Sequence, residues 1–169
     1  MKEAGFALAC VAVVGLLSSL PSAGQTDKRE TDGKWVTADG TPTYNITADG
    51  TVDWYTFSGF RRYHSDCHTC HGPDGEGSTY ASSLVNSLKT MSYPEFMLIV
   101  AAGRQEVSSG KASVMPAFGN NPNVYCYLDD IYVYLKARAD GVLPRGRPAK
   151  RADKSDAAEA HEKACFGDR

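Results

Sequence analysis

The stretch Cys67-His68-Thr69-Cys70-His71 constrains this chain of 169 residues more than any other. Two thiols three positions apart share one turn and reach the two vinyl groups of a single porphyrin as thioethers. The next residue, His71, then falls under the iron as its proximal imidazole. Other chemistries can use the same letters. A zinc half-site needs a second ligand pair of similar spacing, whereas Cys126 and Cys165 stand alone. A redox dithiol belongs beside a βαβ pattern, and none is evident around these cysteines. The motif therefore predicts one covalent haem c, held by Cys67 and Cys70.

Composition bounds the rest. The formal net charge of −2 gives no reason to expect a nucleic-acid partner. At the N-terminus, Lys2 precedes an apolar run over residues 6–17 and then small residues around Pro21. This predicts a secretory signal over residues 1–24 and a periplasmic mature protein, with an uncleaved anchor as the alternative. The run falls short of the ~20 residues that span a bilayer comfortably, so no stable membrane insertion is expected after signal removal. Cys10 would leave with the signal. Of the four remaining cysteines, Cys126 and Cys165 are either a disulfide or two thiols, and an oxidising compartment favours the disulfide.

Residues 25–53 read as an N-terminal extension. Thr37-Ala38-Asp39-Gly40-Thr41 recurs ten residues later as Thr47-Ala48-Asp49-Gly50-Thr51. Asp-Gly pairs among Trp35, Val36, Tyr44, Ile46 and Val52 suggest a short β-ribbon with tight turns. Asp53 can cap a helix over residues 53–65, in which Trp54, Phe57, Phe60 and Tyr63 recur at helical spacing. The glycine-rich residues 72–77 read as tight turns. Ser92 and Glu95 form a capping box for a helix over residues 93–102, stopped by Gly103. Residues 104–113 read as a polar loop leading to Met115-Pro116. Met115 is the expected distal ligand, since a thioether opposite histidine suits low-spin iron and raises its potential. Met97 reads as core, and His161 as a remote alternative ligand. Asn123 reads as the cap of the last helix, which runs to Gly141. The basic, proline-punctuated segment beyond it is either a solvated tail or a docking strip for an acidic partner.

Gly59, Tyr63, the 67–71 motif, Met115-Pro116 and residues 131–136 together resemble a class I c-type cytochrome. The resemblance implies a mainly α fold, three to five helices around one haem, occupying residues 54–141, with the β-ribbon before it. It leaves residues 142–169 as a tail tethered by Cys126–Cys165. A narrower likeness runs through residues 54–64, Cys-His-Gly-Pro-Asp-Gly at 70–75, Gly-Ser-Thr-Tyr-Ala at 77–81 and residues 115–123. These are similar to four-cysteine cytochromes associated with methanol metabolism. That likeness implies electron transfer without enzymatic activity. The donor would be a periplasmic quinoprotein alcohol or methanol dehydrogenase, including the lanthanide type, and the acceptor a downstream cytochrome or terminal oxidase. Two alternatives stay open: a five-coordinate haem enzyme or sensor, and a cytochrome fixed as a dehydrogenase subunit.

Overall fold

A computed structural model describes residues 27–108 and 111–167, so the expected signal at 1–24 lies outside the described residues. The chain is mainly helical. Helix α1 spans Trp54–Asp66, α2 His68–His71, α3 Leu84–Ser87, α4 Tyr93–Ala102, α5 Pro122–Tyr125, α6 Leu128–Ala139 and α7 Asp156–Phe166. Three of these, α2, α3 and α5, are single turns of four residues. The other four carry the architecture.

Helix α1 begins where Asp53 stops the chain from extending. Its Oδ1 accepts the Thr56 amide at 2.9 Å, and Oδ2 accepts the Thr56 hydroxyl at 2.6 Å and the Asn45 amide at 2.7 Å. One carboxylate thus caps the helix and anchors the extension to it. α6 is buried along most of its circumference, with Ile131, Tyr134, Leu135 and Ala137 all inside. The two helices cross at Gly59, where an added Cβ would lie 1.8 Å from the Asp130 carbonyl oxygen. No side chain fits there, and this close crossing fixes the angle of the core.

Before α1, strands β1 (Arg29–Thr31), β2 (Lys34–Val36) and β3 (Pro42–Thr43) form an antiparallel sheet. The sequence echo is also a structural one. Thr37 and Thr47 donate their amides to the Thr41 and Thr51 carbonyls at 2.9 and 3.0 Å, and Asp39 and Asp49 accept the Thr41 and Thr51 amides. Gly40 and Gly50 supply the positive φ each turn needs, 85° and 82°. The extension rests on α6 through Lys34–Asp129 at 3.0 Å and Tyr44–Asp140 at 2.9 Å.

Two expectations need correction. Residues 104–113 are no loop: β5 (Arg104–Ser108) and β6 (Lys111–Met115) pair antiparallel, with Arg104 opposite Met115. Such a ladder is made of backbone groups and needs few apolar side chains. The last helix is broken at Cys126 and Tyr127. Its first turn is capped by Asn121 and not Asn123, while α6 starts without a side-chain cap. The basic segment stays solvent-exposed, as the solvated reading expected, but it is tied to the rest of the fold. Its strand β7 (Lys150–Arg151) pairs in parallel with β4 (Thr51–Val52). Its charges are taken up internally: Arg145 by Asp74, Lys150 by Asp49, Lys154 by Glu162, and Arg147 and Arg151 over the Phe57 ring.

Cys126, at the end of α5, is bonded to Cys165 in α7, with Cα atoms 5.9 Å and 39 positions of sequence apart. Closing a loop of that length restricts the unfolded chain. The Cys126→Ser, Cys165→Ser variant is expected to lose about 2–4 kcal/mol in urea unfolding of the holo-protein. An unchanged midpoint would mean that α7 is held by packing alone.

Asp130, 5% exposed, faces Ser58 and Asp53 of α1, Lys34 of β2 and its neighbour Asp129. Burial pushes its carboxyl up to about 7, against the opposing pull of Ser58 and Lys34 and with help from Asp129 and Asp53. Between about pH 4 and 7 the folded protein therefore keeps a proton that the unfolded chain has released. Stability falls with rising pH across that window, by up to ~1.4 kcal/mol per unit, and levels off above it. Asp130→Asn should remove this slope. Its stability advantage over the native protein should grow by roughly 1 kcal/mol or more from pH 5 to pH 8; a constant difference would refute the assignment.

Candidate haem site

The end of α1 delivers the motif. The Cys67 amide donates to Tyr63 O at 2.9 Å, and the chain turns at once into α2, where the Cys70 and His71 amides both return to Cys67 O, at 3.2 and 3.0 Å. One helical turn thus gathers both thiols and the imidazole on one side of the chain. Cys67 is half-buried and Cys70 exposed, and neither takes part in the disulfide.

His71 Nδ1 lies 3.1 Å from Ser82 O. A carbonyl can only accept, so Nδ1 carries the proton and Nε2 keeps the lone pair a metal needs. The Ser82 carbonyl thereby fixes the tautomer and the orientation of the ring. The turn that follows is closed from both ends. Gly77 N donates to His71 O at 2.8 Å, and the buried Tyr63 hydroxyl donates to Gly72 O at 2.6 Å. Burial drives the Tyr63 hydroxyl pKa upward, with the Asp74 and Glu76 charges adding, so it remains a donor.

Met115 ends β6. Gly103, at φ 75°, lets the end of α4 press against it, since a Cβ there would lie 2.7 Å from Met115 O. The next residues are stitched to α4: Phe118 N donates to Val100 O and Gly119 N to Ala101 O, both at 3.0 Å. Met115, Met97, Met91 and Cys67 all pack partly buried against the core formed by Phe96, Val100 and α6.

Among the other histidines, His64 is engaged elsewhere. His64 Nδ1 is 2.8 Å from Phe60 O, and its Nε2 is 3.4 Å from Asp74 Oδ1. His161 lies on α7, in a cleft also lined by Arg29, Lys34 and Tyr55. Asp74 escaped the sequence reading. It is buried beside the motif and accepts from Tyr134, Gly146 and Arg145, partners 60 or more residues away. Its one local signal was an acidic residue set between Pro73 and Gly75 in the glycine-rich turn.

The donor set fits a covalent porphyrin. Two thiols at thioether spacing adjoin a histidine whose tautomer is already set. It does not fit structural zinc: Cys126 and Cys165 are consumed in the disulfide, and no other group of three or more metal-ligating side chains occurs among the described residues.

No protein-family model matches the chain. Individual proteins do. The chain is 60% identical over 135 residues to cytochrome c-553I of Paracoccus denitrificans, covering 80% of this chain and 60% of that protein. It therefore spans less than two thirds of that relative. It is 41% identical over 100 residues to cytochrome c-555 of Methylococcus capsulatus, covering 59% of this chain and 75% of that one. Its fold is similar to the crystal structure of the c-type cytochrome XoxG from Methylobacterium extorquens AM1, with a TM-score of 0.76 and 56% identity over 81% of this chain and 84% of that one. Motif, fold and relatives agree, and the chain belongs to the c-type cytochromes, with covalently attached haem c as its cofactor.

Proposed function

We propose that this protein is a periplasmic monohaem electron carrier, accepting single electrons from a quinoprotein methanol or alcohol dehydrogenase and passing them to a downstream cytochrome or terminal oxidase. The likeness to XoxG carries this reading, together with the four-cysteine pattern shared with methanol-metabolism cytochromes. The export signal read at residues 1–24 supports the compartment. Among the described residues no helix is long and apolar enough to cross a membrane.

Haem supplies a one-electron Fe(III)/Fe(II) couple. The chain's own residues do the rest. Cys67 and Cys70 would hold the macrocycle, and His71, its ring oriented by Ser82, and Met115 would ligate the iron. With protein ligands on the metal, substrate would be kept from it, and the protein would carry electrons without transforming a substrate. Phe96, Val100 and α6, which pack against Cys67 and Met115, would shield the group from water.

Charge bears on docking. Residues 67–135 hold six acidic and three basic side chains, and Arg145, Lys150 and Lys154 are ion-paired within the molecule. Contact with the donor should therefore be mostly apolar. In rapid mixing of ferric protein with reduced quinoprotein methanol dehydrogenase, reduction should far outpace that of an unrelated cytochrome c of matched potential. Raising the salt should change the rate by less than about threefold. Equal rates for the two cytochromes would remove the donor assignment; a steep salt response would replace apolar contact with charge steering.

A further inference from the structure

Asp74 stands three residues after His71 in an unusual setting. Its backbone is left-handed, with φ 59° and ψ 18°, although it is not glycine, and it is 5% exposed. Oδ1 accepts the Gly146 amide at 3.1 Å and the Tyr134 hydroxyl at 3.2 Å, with His64 Nε2 at 3.4 Å. Oδ2 faces Arg145 Nε at 3.4 Å, and the Asp74 carbonyl accepts from Arg138 Nε at 3.3 Å. Arg138 also pairs with Glu76 two residues on and reaches Leu143 O. The turn leaving His71 is therefore bolted to α1, to α6 and to the segment that follows α6. A non-glycine residue keeps such a backbone only where its surroundings over-determine it.

Burial would push this carboxyl up, but hydrogen bonds from Gly146, Tyr134 and Arg145 and the charge of His64 outweigh it, leaving the group below its ordinary value. A fixed negative charge thus lies out of water beside the proximal turn. Charge interactions are strong in that setting, and an anion favours Fe(III) over Fe(II).

We propose that Asp74 is a positioning residue for the haem iron, holding the His71 turn and biasing the couple towards Fe(III), with Arg145 as the counter-charge that moderates the bias. The proposal rests on His71 as the proximal ligand. It also gives the post-α6 segment a role in setting the potential.

The test is the midpoint potential of the holo-protein by spectroelectrochemistry, with the far-red methionine–Fe(III) band recorded on each sample. Asp74→Asn keeps the shape and removes the charge. It should shift the Fe(III)/Fe(II) equilibrium about fivefold towards Fe(II), or about 40 mV at 59 mV per tenfold for one electron. Arg145→Gln alters a side chain that is 64% exposed, so folding is not at stake. It should shift the equilibrium about threefold the other way, and by about the same factor in the Asp74→Asn background, because charge contributions at the iron add. The opposite signs separate charge tuning from general loosening, which would move both variants alike. If Asp74→Asn fails to mature, Arg145→Gln decides alone: a shift towards Fe(III) supports the proposal and an unchanged potential overturns it. A missing far-red band in the native protein would instead overturn the Met115 ligation and leave this comparison of potentials intact.

Discussion

Gly59→Ala is expected to cost the holo-protein more than about 3 kcal/mol, a large share of the 5–15 kcal/mol that holds a typical domain together. On propensity alone the change should help, since alanine in a helix interior is favoured over glycine by about 1 kcal/mol. The packing reverses the sign. The new methyl would lie 1.8 Å from Asp130 O, 2.4 Å from Asp130 C and 2.8 Å from Tyr134 Cβ. None of these is the far end of a flexible side chain. Two belong to the α6 backbone, so relief requires moving one helix off the other. That shift would loosen Ile131, Tyr134 and Leu135, which are 2%, 0% and 0% exposed. It would also displace the start of α2, which hangs on α1 through Cys67 and Tyr63. Overpacking of ordinary core sites costs about 1–3 kcal/mol, and a clash against backbone belongs at or beyond the top of that range. Urea unfolding followed through the Soret band checks it. A variant within about 1 kcal/mol of the native protein would show that the helices do not cross this closely.

Met115→Ala is expected to abolish the far-red band, to let cyanide bind at once, and to lower the midpoint potential by on the order of 0.1 V or more, within the ~0.8 V that axial ligands span. Thioether ligation stabilises Fe(II), and its loss removes that bias. The geometry predicts that the damage stays local. Met115 sits at the foot of β6 opposite Arg104, and the residues after it hang from α4 through the Phe118 and Gly119 amides. None of those bonds involves the Met115 side chain, so the backbone should hold and the thermal transition should remain cooperative. Met97→Leu is the control, because Met97 packs against the same core and should leave the band untouched. Loss of the band in Met97→Leu and its survival in Met115→Ala would exchange the two assignments. A high-spin native protein that already binds cyanide would replace the carrier with an open-haem enzyme or sensor.

What the sequence determined by itself is what one or two helical turns can encode. Cys67, Cys70 and His71 declare their chemistry by spacing alone. Asp53 and Ser92 announce helix starts because the capping oxygen meets an amide three residues on, at Thr56 and Glu95. Gly103 marks a helix end by the backbone it permits. The Cys126–Cys165 bond was reachable because the motif had claimed the other two thiols. The Thr-Ala-Asp-Gly-Thr echo forecast repeated turns because each turn is closed by its own five residues.

Only the tertiary structure decided features whose partners lie far along the chain. The 104–115 hairpin carries Val107 and Val114 exposed, at 85% and 65%, so no buried stripe marked it as strand. Backbone pairing made it one. The cations after α6 do face solvent, but charge composition does not reveal that Phe57, Asp49 and Asp74 come to meet them. Asp74 itself joins α6 and residues 145–146 across 60 to 72 positions of sequence. A buried carboxylate becomes favourable only when all its donors arrive together. That convergence is a property of the folded chain, and no local pattern can state it.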